Sequence, residues 1–201
     1  MKKIIISVII ALLSVIMVSA GASAVTNHRV QSGDSMWKIA VKYEVGLGEI
    51  IKANPNISNP ELIYPGQVIT IPTIDSNVLD YEKEVVRLVN EIRDQNGLNA
   101  LVEDWELSRV ARIKSQDMRD NNYFSHTSPV YGTPFQMIKN FGISYRSAAE
   151  NIAKGQTTPK AAVNAWMNSP GHRANILNAT YKKIGIGYVS SGNYWTQMFI
   201  G

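Results

Sequence analysis

Three histidines occur in the chain, and two of them, His126 and His172, fall in polar, loop-rich blocks rather than on an apolar helix face. The blocks run from Tyr123 to Pro129, from Ala149 to Ala153 and from Trp166 to Leu177, and the middle one carries Glu150 and Asn151. Two imidazoles and a carboxylate sharing one cleft have three chemistries open to them. His126 and His172 could ligate a divalent metal such as zinc, with water at an open position. Glu150 could instead orient His126 as a general base for hydrolysis; His126, Glu150 and His172 are then the catalytic candidates, with Ser125 or Ser128 the nearest hydroxyls. The third reading is a non-catalytic cleft that binds a ligand or partner. Against hydrolysis, the chain contains no Gly-x-Ser-x-Gly elbow and no His-Glu-x-x-His helix. Purely structural roles are the alternative to all three, with His172 bonding a helix end and Asn151 or Asn175 satisfying buried backbone.

The elements that must position these blocks can be read from periodicity and capping. Tyr81, Val85, Leu88, Val89 and Ile92 mark one face of a helix stopped by Gly97. A second helix is capped by Asp104 and carries Leu107, Val110, Ala111, Lys114 and Met118 along its face. Thr133-Pro134 and Thr158-Pro159 each place a capping residue before a proline suited to the first helical position. Two strands, Ile184 to Val189 and Tyr194 to Ile200, flank the hairpin loop Ser190-Ser191-Gly192-Asn193. Several helices with a small antiparallel sheet predict an α+β layered domain.

Ahead of it, His28-Arg29-Val30 begins a strand, Met36, Ile39, Ala40 and Tyr43 recur at helical spacing, Ile50 and Ile51 sit in a second short helix, and Gln67 to Ile71 forms a strand stopped by Pro72. The order strand, helix, helix, strand fits a small module. Trp37, Ile39 and Ile51 are expected in its core, and Asp34 either caps the first helix or faces a ligand.

Lys2 and Lys3, the apolar stretch Ile4 to Val18 and Ala22-Ser23-Ala24 have the form of a signal peptide cleaved after Ala24. The formal net charge is +4, of which Lys2 and Lys3 supply two, leaving too little to attract nucleic acid or an anionic membrane. With no cysteine in the chain, disulfides, a thiolate nucleophile, Cys-ligated zinc and a lipoprotein anchor are all excluded.

Two resemblances sharpen this. The runs Val30 to Ala40, Ile51 to Ile57 and Ile63 to Pro72 closely resemble a LysM domain. That family implies binding to peptidoglycan or another N-acetylglucosamine-containing glycan, in a groove with Gly33, Asp34, Ser35 and Met36 on one side and Asn56, Ile57, Ile63 and Tyr64 on the other. The three histidine- and glutamate-bearing blocks, with Tyr194-Trp195-Thr196-Gln197, resemble the bacterial branch of the CAP (SCP/PR-1-like) superfamily. This implies an α-β-α sandwich whose cleft takes His126 and Glu150, with His172 replacing a missing imidazole. Ser169 and Tyr194 stand where the eukaryotic members have a second acid and a second histidine.

The organisation expected is therefore a signal peptide over 1–24, a LysM domain over 25–74, a linker over 75–77 and a CAP domain over 78–201. The protein is expected to be secreted and wall-associated, to bind peptidoglycan, and to present a cleft for a ligand, metal or partner. A wall-acting or proteolytic hydrolase is the alternative, and a structural part of a spore coat, placed at the spore surface, is a third.

Overall fold

The computed structural model describes residues 25–201. The expected leader lies outside the described residues. In the N-terminal module, β1 (Val25–Arg29) pairs antiparallel with β2 (Val68–Pro72), with α1 (Met36–Lys42) and α2 (Leu47–Ala53) between them in the chain. Val30, Met36, Ile39, Ala40, Ile50, Ile69 and Ile71 make its core. Asn54 ends α2 and clamps it to the sheet: its amide donates to the carbonyls of Ile50 and Thr70, and its Oδ1 accepts from the Thr70 amide, each at 2.8 Å.

The C-terminal domain runs α3 (Ser76–Gln95), β3 (Val102–Glu103), α4 (Trp105–Asp120), α5 (Pro134–Asn140), β4 (Ala148–Lys154), α6 (Pro159–Asn168), α7 (Pro170–Ile176), β5 (Lys183–Val189) and β6 (Tyr194–Ile200). Its sheet has the order β3-β5-β6-β4, antiparallel except for β3 beside β5. The caps read from sequence form as expected. Asp104 accepts from the Leu107 amide, Thr133 forms a capping box with Gln136, and Thr158 accepts from the Ala161 amide.

Strand alternation builds the layers. On one face, Ile184, Ile186, Tyr188, Trp195 and Phe199 pack with Val85 and Val89 of α3 and Trp166 of α6. On the other, Met198 and Ile200 pack with Leu107, Val110 and Ala111 of α4 and with α5. The result is the α-β-α sandwich. The Ile-Gly-Ile-Gly-Tyr run of β5 follows from it, because its glycines face α4. A Cβ on Gly185 would fall 2.4 Å from the Leu107 backbone carbon, and one on Gly187 2.1 Å from that of Ala111. Ser108 and Ser115 of α4 then hydrogen-bond directly to the sheet, at the Ile186 amide and the Gly187 carbonyl.

Gly187→Ala should therefore lower unfolding stability by about 3 kcal/mol, the cost of forcing α4 off the sheet. Urea denaturation read against Gly171→Ala, where nothing lies within 4 Å of the added carbon, checks this. Equal midpoints for the two variants would refute it.

Candidate functional site

The site straddles β4, one of the two edge strands. Successive residues of a strand point to opposite faces, and Glu150 and Asn151 use this to hold one histidine segment each. Glu150 accepts at Oε1 from Nδ1 of His126 at 2.8 Å; its side chain is 1% exposed and that of His126 51%. Asn151 is fully buried, and its amide donates to the backbone carbonyl of His172 at 3.1 Å and to Gln197 Oε1 at 2.9 Å. Asn175 of α7 completes the tie by donating to Asn151 Oδ1 at 2.8 Å. The His126 and His172 rings lie 6.4 Å apart between centroids, tilted by 58°. His126, Glu150 and His172 are thus brought together as expected. The asparagines satisfy the backbone around them.

Burial pushes the Glu150 carboxyl above its ordinary value, opposed by the His126 hydrogen bond and the nearby Lys114 charge. Burial, reinforced by His126, holds the His172 imidazole below its ordinary value. With Glu150 accepting from Nδ1, the neutral His126 ring keeps its proton there and offers Nε2 as an acceptor. Glu150 Oε2 is buried with no hydrogen-bond partner.

Two residues that carry the site had no functional reading in the sequence. Lys114, expected only as part of a helix face, is fully buried, and its ammonium donates to the Ser125 carbonyl at 2.8 Å, the His126 carbonyl at 2.9 Å and the Tyr123 hydroxyl at 3.0 Å. Burial lowers its pKa, while Glu150 and Asp117 oppose that shift. Asp117, one turn further along α4, accepts from the hydroxyls of Ser128, at 2.6 Å, and Tyr123. A lysine in the middle of an otherwise apolar stripe was the available signal.

This network decides the hydroxyl question. Ser128 donates to Asp117 and accepts from the amides of Val130 and Tyr131, and Ser125 accepts from the Thr127 amide. Among the described residues, neither imidazole is hydrogen-bonded to a serine hydroxyl. Ser169 joins α6 to α7, and Tyr194 is buried under Lys154, so neither supplies the missing family groups. The donors also fall short of a zinc set. Glu150 is engaged with His126, which leaves two imidazoles, and the described residues contain no group of three or more His, Asp or Glu placed to hold a metal ion.

The N-terminal module has a hollow of about 560 Å³ between the β1–α1 loop, α1, α2 and the loop before β2, lined by Ser35, Met36, Trp37, Leu47, Ile51, Asn59, Pro60 and Glu61. Ser35 and Met36 lie where the groove was expected, although Met36 is mostly core at 3% exposure. Gly33 sits at φ +89° and its carbonyl accepts from Lys38 Nζ. Asn56, Ile57, Ile63 and Tyr64 are not among the lining residues: Ile57 and Ile63 pack on the core, and Asn56 and Tyr64 are exposed.

Two expectations are corrected. Trp37 is not core but 62% exposed, and Ile51 is half-buried on the wall of the hollow. Asp34 does not cap α1, because Ser35 does; Asp34 Oδ2 accepts from the Gln31 amide and from His28 Nε2, each at 2.8 Å. These bonds, the backbone one foremost, hold the Asp34 carboxyl below its ordinary value of 3.8.

Two outcomes follow. Lys114→Met should cost about 3 kcal/mol in urea unfolding, since it leaves the buried carbonyls of Ser125 and His126 without their donor and removes the positive charge that compensates Glu150; a midpoint within error of wild type would contradict it. A carboxyl whose folded pKa is depressed stabilises the fold above its unfolded pKa and loses that stability as pH falls through the folded value. Asp34→Ala should therefore lower the melting temperature of the N-terminal module at pH 6, by a margin that shrinks as the pH falls through the folded pKa of Asp34. A loss that does not change with pH would count against the carboxylate.

Comparison with known proteins gives the chain its relatives. The model of the CAP, or cysteine-rich secretory protein, family matches residues 86–199, and that of the LysM domain matches residues 28–72. The uncharacterized protein YkwD of Bacillus subtilis (strain 168) is 59% identical over 132 residues, which cover 66% of this chain and 51% of YkwD. The crystal structure of an extracellular SCP-domain protein from Bacillus anthracis str. Ames superposes with a TM-score of 0.60 at 33% identity, covering 68% of this chain and 47% of that one. The chain thus spans about half the length of each. Over the N-terminal module, a probable autolysin, SsaALP, of Staphylococcus aureus is 47% identical over 55 residues (27% of this chain, 20% of that protein). The spore coat assembly protein ExsA of Bacillus cereus is 50% identical over 46 residues (23% and 7%).

Proposed function

The chain belongs to the CAP, or cysteine-rich secretory protein, family and carries a LysM domain ahead of the CAP domain; on that premise we propose that it is an exported cell-wall protein that anchors to peptidoglycan and presents a ligand-binding cleft. The observation that carries the reading is the LysM hollow. An exposed indole, Trp37, stands beside Leu47, Ile51 and Pro60, with Ser35, Asn59 and Glu61 among them. N-acetyl sugars offer apolar ring faces to such side chains and amide and hydroxyl groups to such polar neighbours. A single module of this size binds weakly, so retention depends on abundant glycan. Relatives of the LysM part include a probable autolysin and a spore coat assembly protein, so a vegetative wall and a spore surface both lie within its range.

In the CAP domain, His126, Glu150 and His172 form a cleft that binds rather than cleaves. It has an oriented imidazole but no activated hydroxyl and no three-ligand metal set. Its acceptors, His126 Nε2 and the His172 ring, suit a ligand that donates hydrogen bonds. One observation favours the hydrolase alternative: the Glu150–His126 pair could activate water. His126→Ala abolishing turnover of peptidoglycan or peptides, with an unchanged melting temperature, would establish that alternative.

Protein comprising residues 25–201 should pellet with insoluble peptidoglycan, and Trp37→Ala should weaken this about tenfold by removing the stacking surface. Undiminished pelleting of Trp37→Ala, or equal pelleting of residues 78–201 alone, would refute the anchor assignment.

A further inference from the structure

We propose that the LysM domain is docked on the CAP domain in one fixed orientation, with Arg109 of α4 reaching across the seam to Glu49 of α2 and the glycan hollow turned away from that seam. Arg109 Nε donates to Glu49 Oε1 at 2.7 Å, joining residues 60 apart in sequence. Both side chains are held before they meet. The Arg109 guanidinium lies over the Phe141 ring, 5.2 Å from its centroid, within its own domain. Glu49 Oε2 accepts from the Gly46 amide at 3.1 Å, which leaves Oε1 facing Arg109.

Gly46 lies against the same contact. Its backbone, at φ −65° and ψ 138°, is open to any residue, so conformation does not call for glycine there. The absent side chain instead leaves room for Arg109: an added Cβ would fall 2.3 Å from its guanidinium carbon and nitrogens, so a larger residue would have to push the guanidinium aside. Only three residues, Thr73 to Asp75, separate β2 from α3, so the two domains meet at high effective concentration and the pair costs little additional ordering. Hollows of about 490 and 430 Å³ flank Thr73 and Ile74 along the seam. The seam is therefore not sealed by apolar packing, and the charged contact is its principal tie.

The docking makes α2 a dividing wall. Glu49 and Ala53 border the seam, whereas Leu47 and Ile51 line the glycan hollow. Residues two apart on a helix lie about 160° apart around its axis, so the two faces are nearly opposite. On the reading that the hollow takes peptidoglycan, a wall-bound molecule holds its CAP domain on the side away from the glycan, and glycan binding leaves the seam intact.

The absence of native cysteine allows clean labelling. Thr26→Cys and Asn164→Cys, both at exposed positions, place spin labels on the two domains for pulsed dipolar distance measurement on residues 25–201. A single narrow distance is expected, and it should be lost in Glu49→Gln and in Gly46→Ala, the latter keeping every charge and displacing only the guanidinium. A broad distribution in the parent, or a narrow one surviving both substitutions, overturns the proposal. Pelleting with peptidoglycan reads the opposite face of α2 and should stay at the parent level in both variants. Loss of pelleting together with the narrow distance would mean that the LysM fold itself had failed, and would overturn the assignment of this pair to the seam.

Discussion

The close approach of α4 to the sheet is the constraint on which the rest of the CAP domain depends. Glycine at 185 and 187 removes the side chains that would hold the helix away, and α4 settles with its backbone against β5. That depth buries Lys114 and Asp117 behind the loop that follows the helix, and a buried ammonium or carboxylate must find partners. Lys114 finds the carbonyls of Ser125 and His126, and Asp117 finds the hydroxyls of Tyr123 and Ser128. The His126 loop owes its shape to the demands of charges beneath it. Two glycines on β5, two strands away from β4 in the sheet, thus help to place its imidazole.

The opposite side of the site follows the same logic with different groups. Arg93, almost fully buried in α3, donates to the carbonyls of Ile176 and Asn178 and so fixes the end of α7. Asn151 fixes the His172 carbonyl near the start of that helix. A seven-residue helix has little stability of its own, so these tertiary bonds decide where His172 stands. Both histidines are consequently positioned through backbone carbonyls held by buried donors, and only His126 is gripped at the ring as well, by Glu150.

What the sequence made legible were the features set by local rules. Asp104, Thr133 and Thr158 announced their helices because capping needs only the next few residues. The β5–β6 hairpin was visible in its alternation. By contrast, β4 reads Ala-Ala-Glu-Asn-Ile-Ala-Lys, which lacks β-branched alternation; it is a strand because β6 templates it, residue for residue from Ala148 opposite Ile200. Likewise α7 begins Pro170-Gly171, which looks like a turn until Asn151 and Arg93 are in place. Trp37 falls off the Met36, Ile39, Ala40, Tyr43 stripe, so its periodicity pointed outward; its size alone suggested core. Family resemblance brought His126, Glu150 and His172 together, but it did not reveal the Lys114 ammonium, whose partners are mostly backbone atoms and leave no residue-type pattern.

The charges within the cleft bear on what it can hold. Glu150 faces the Lys114 ammonium through the protein interior, and burial works against both charges while each supports the other. Such a pair adds little net stability compared with apolar packing, but neither member tolerates the other's loss. Its consequence for recognition is that the acid behind His126 is largely compensated from within. The acid behind His126 is therefore not presented as an exposed negative site, and with burial biasing His172 toward its neutral form, the His172 ring can accept a hydrogen bond. For the binding role proposed above, uncharged hydroxyl and amide donors would suit that surface better than a strongly cationic partner. On the proposed reading, the LysM hollow would meet its glycan with an indole on apolar walls, and the CAP cleft would meet its ligand with charges compensated from within.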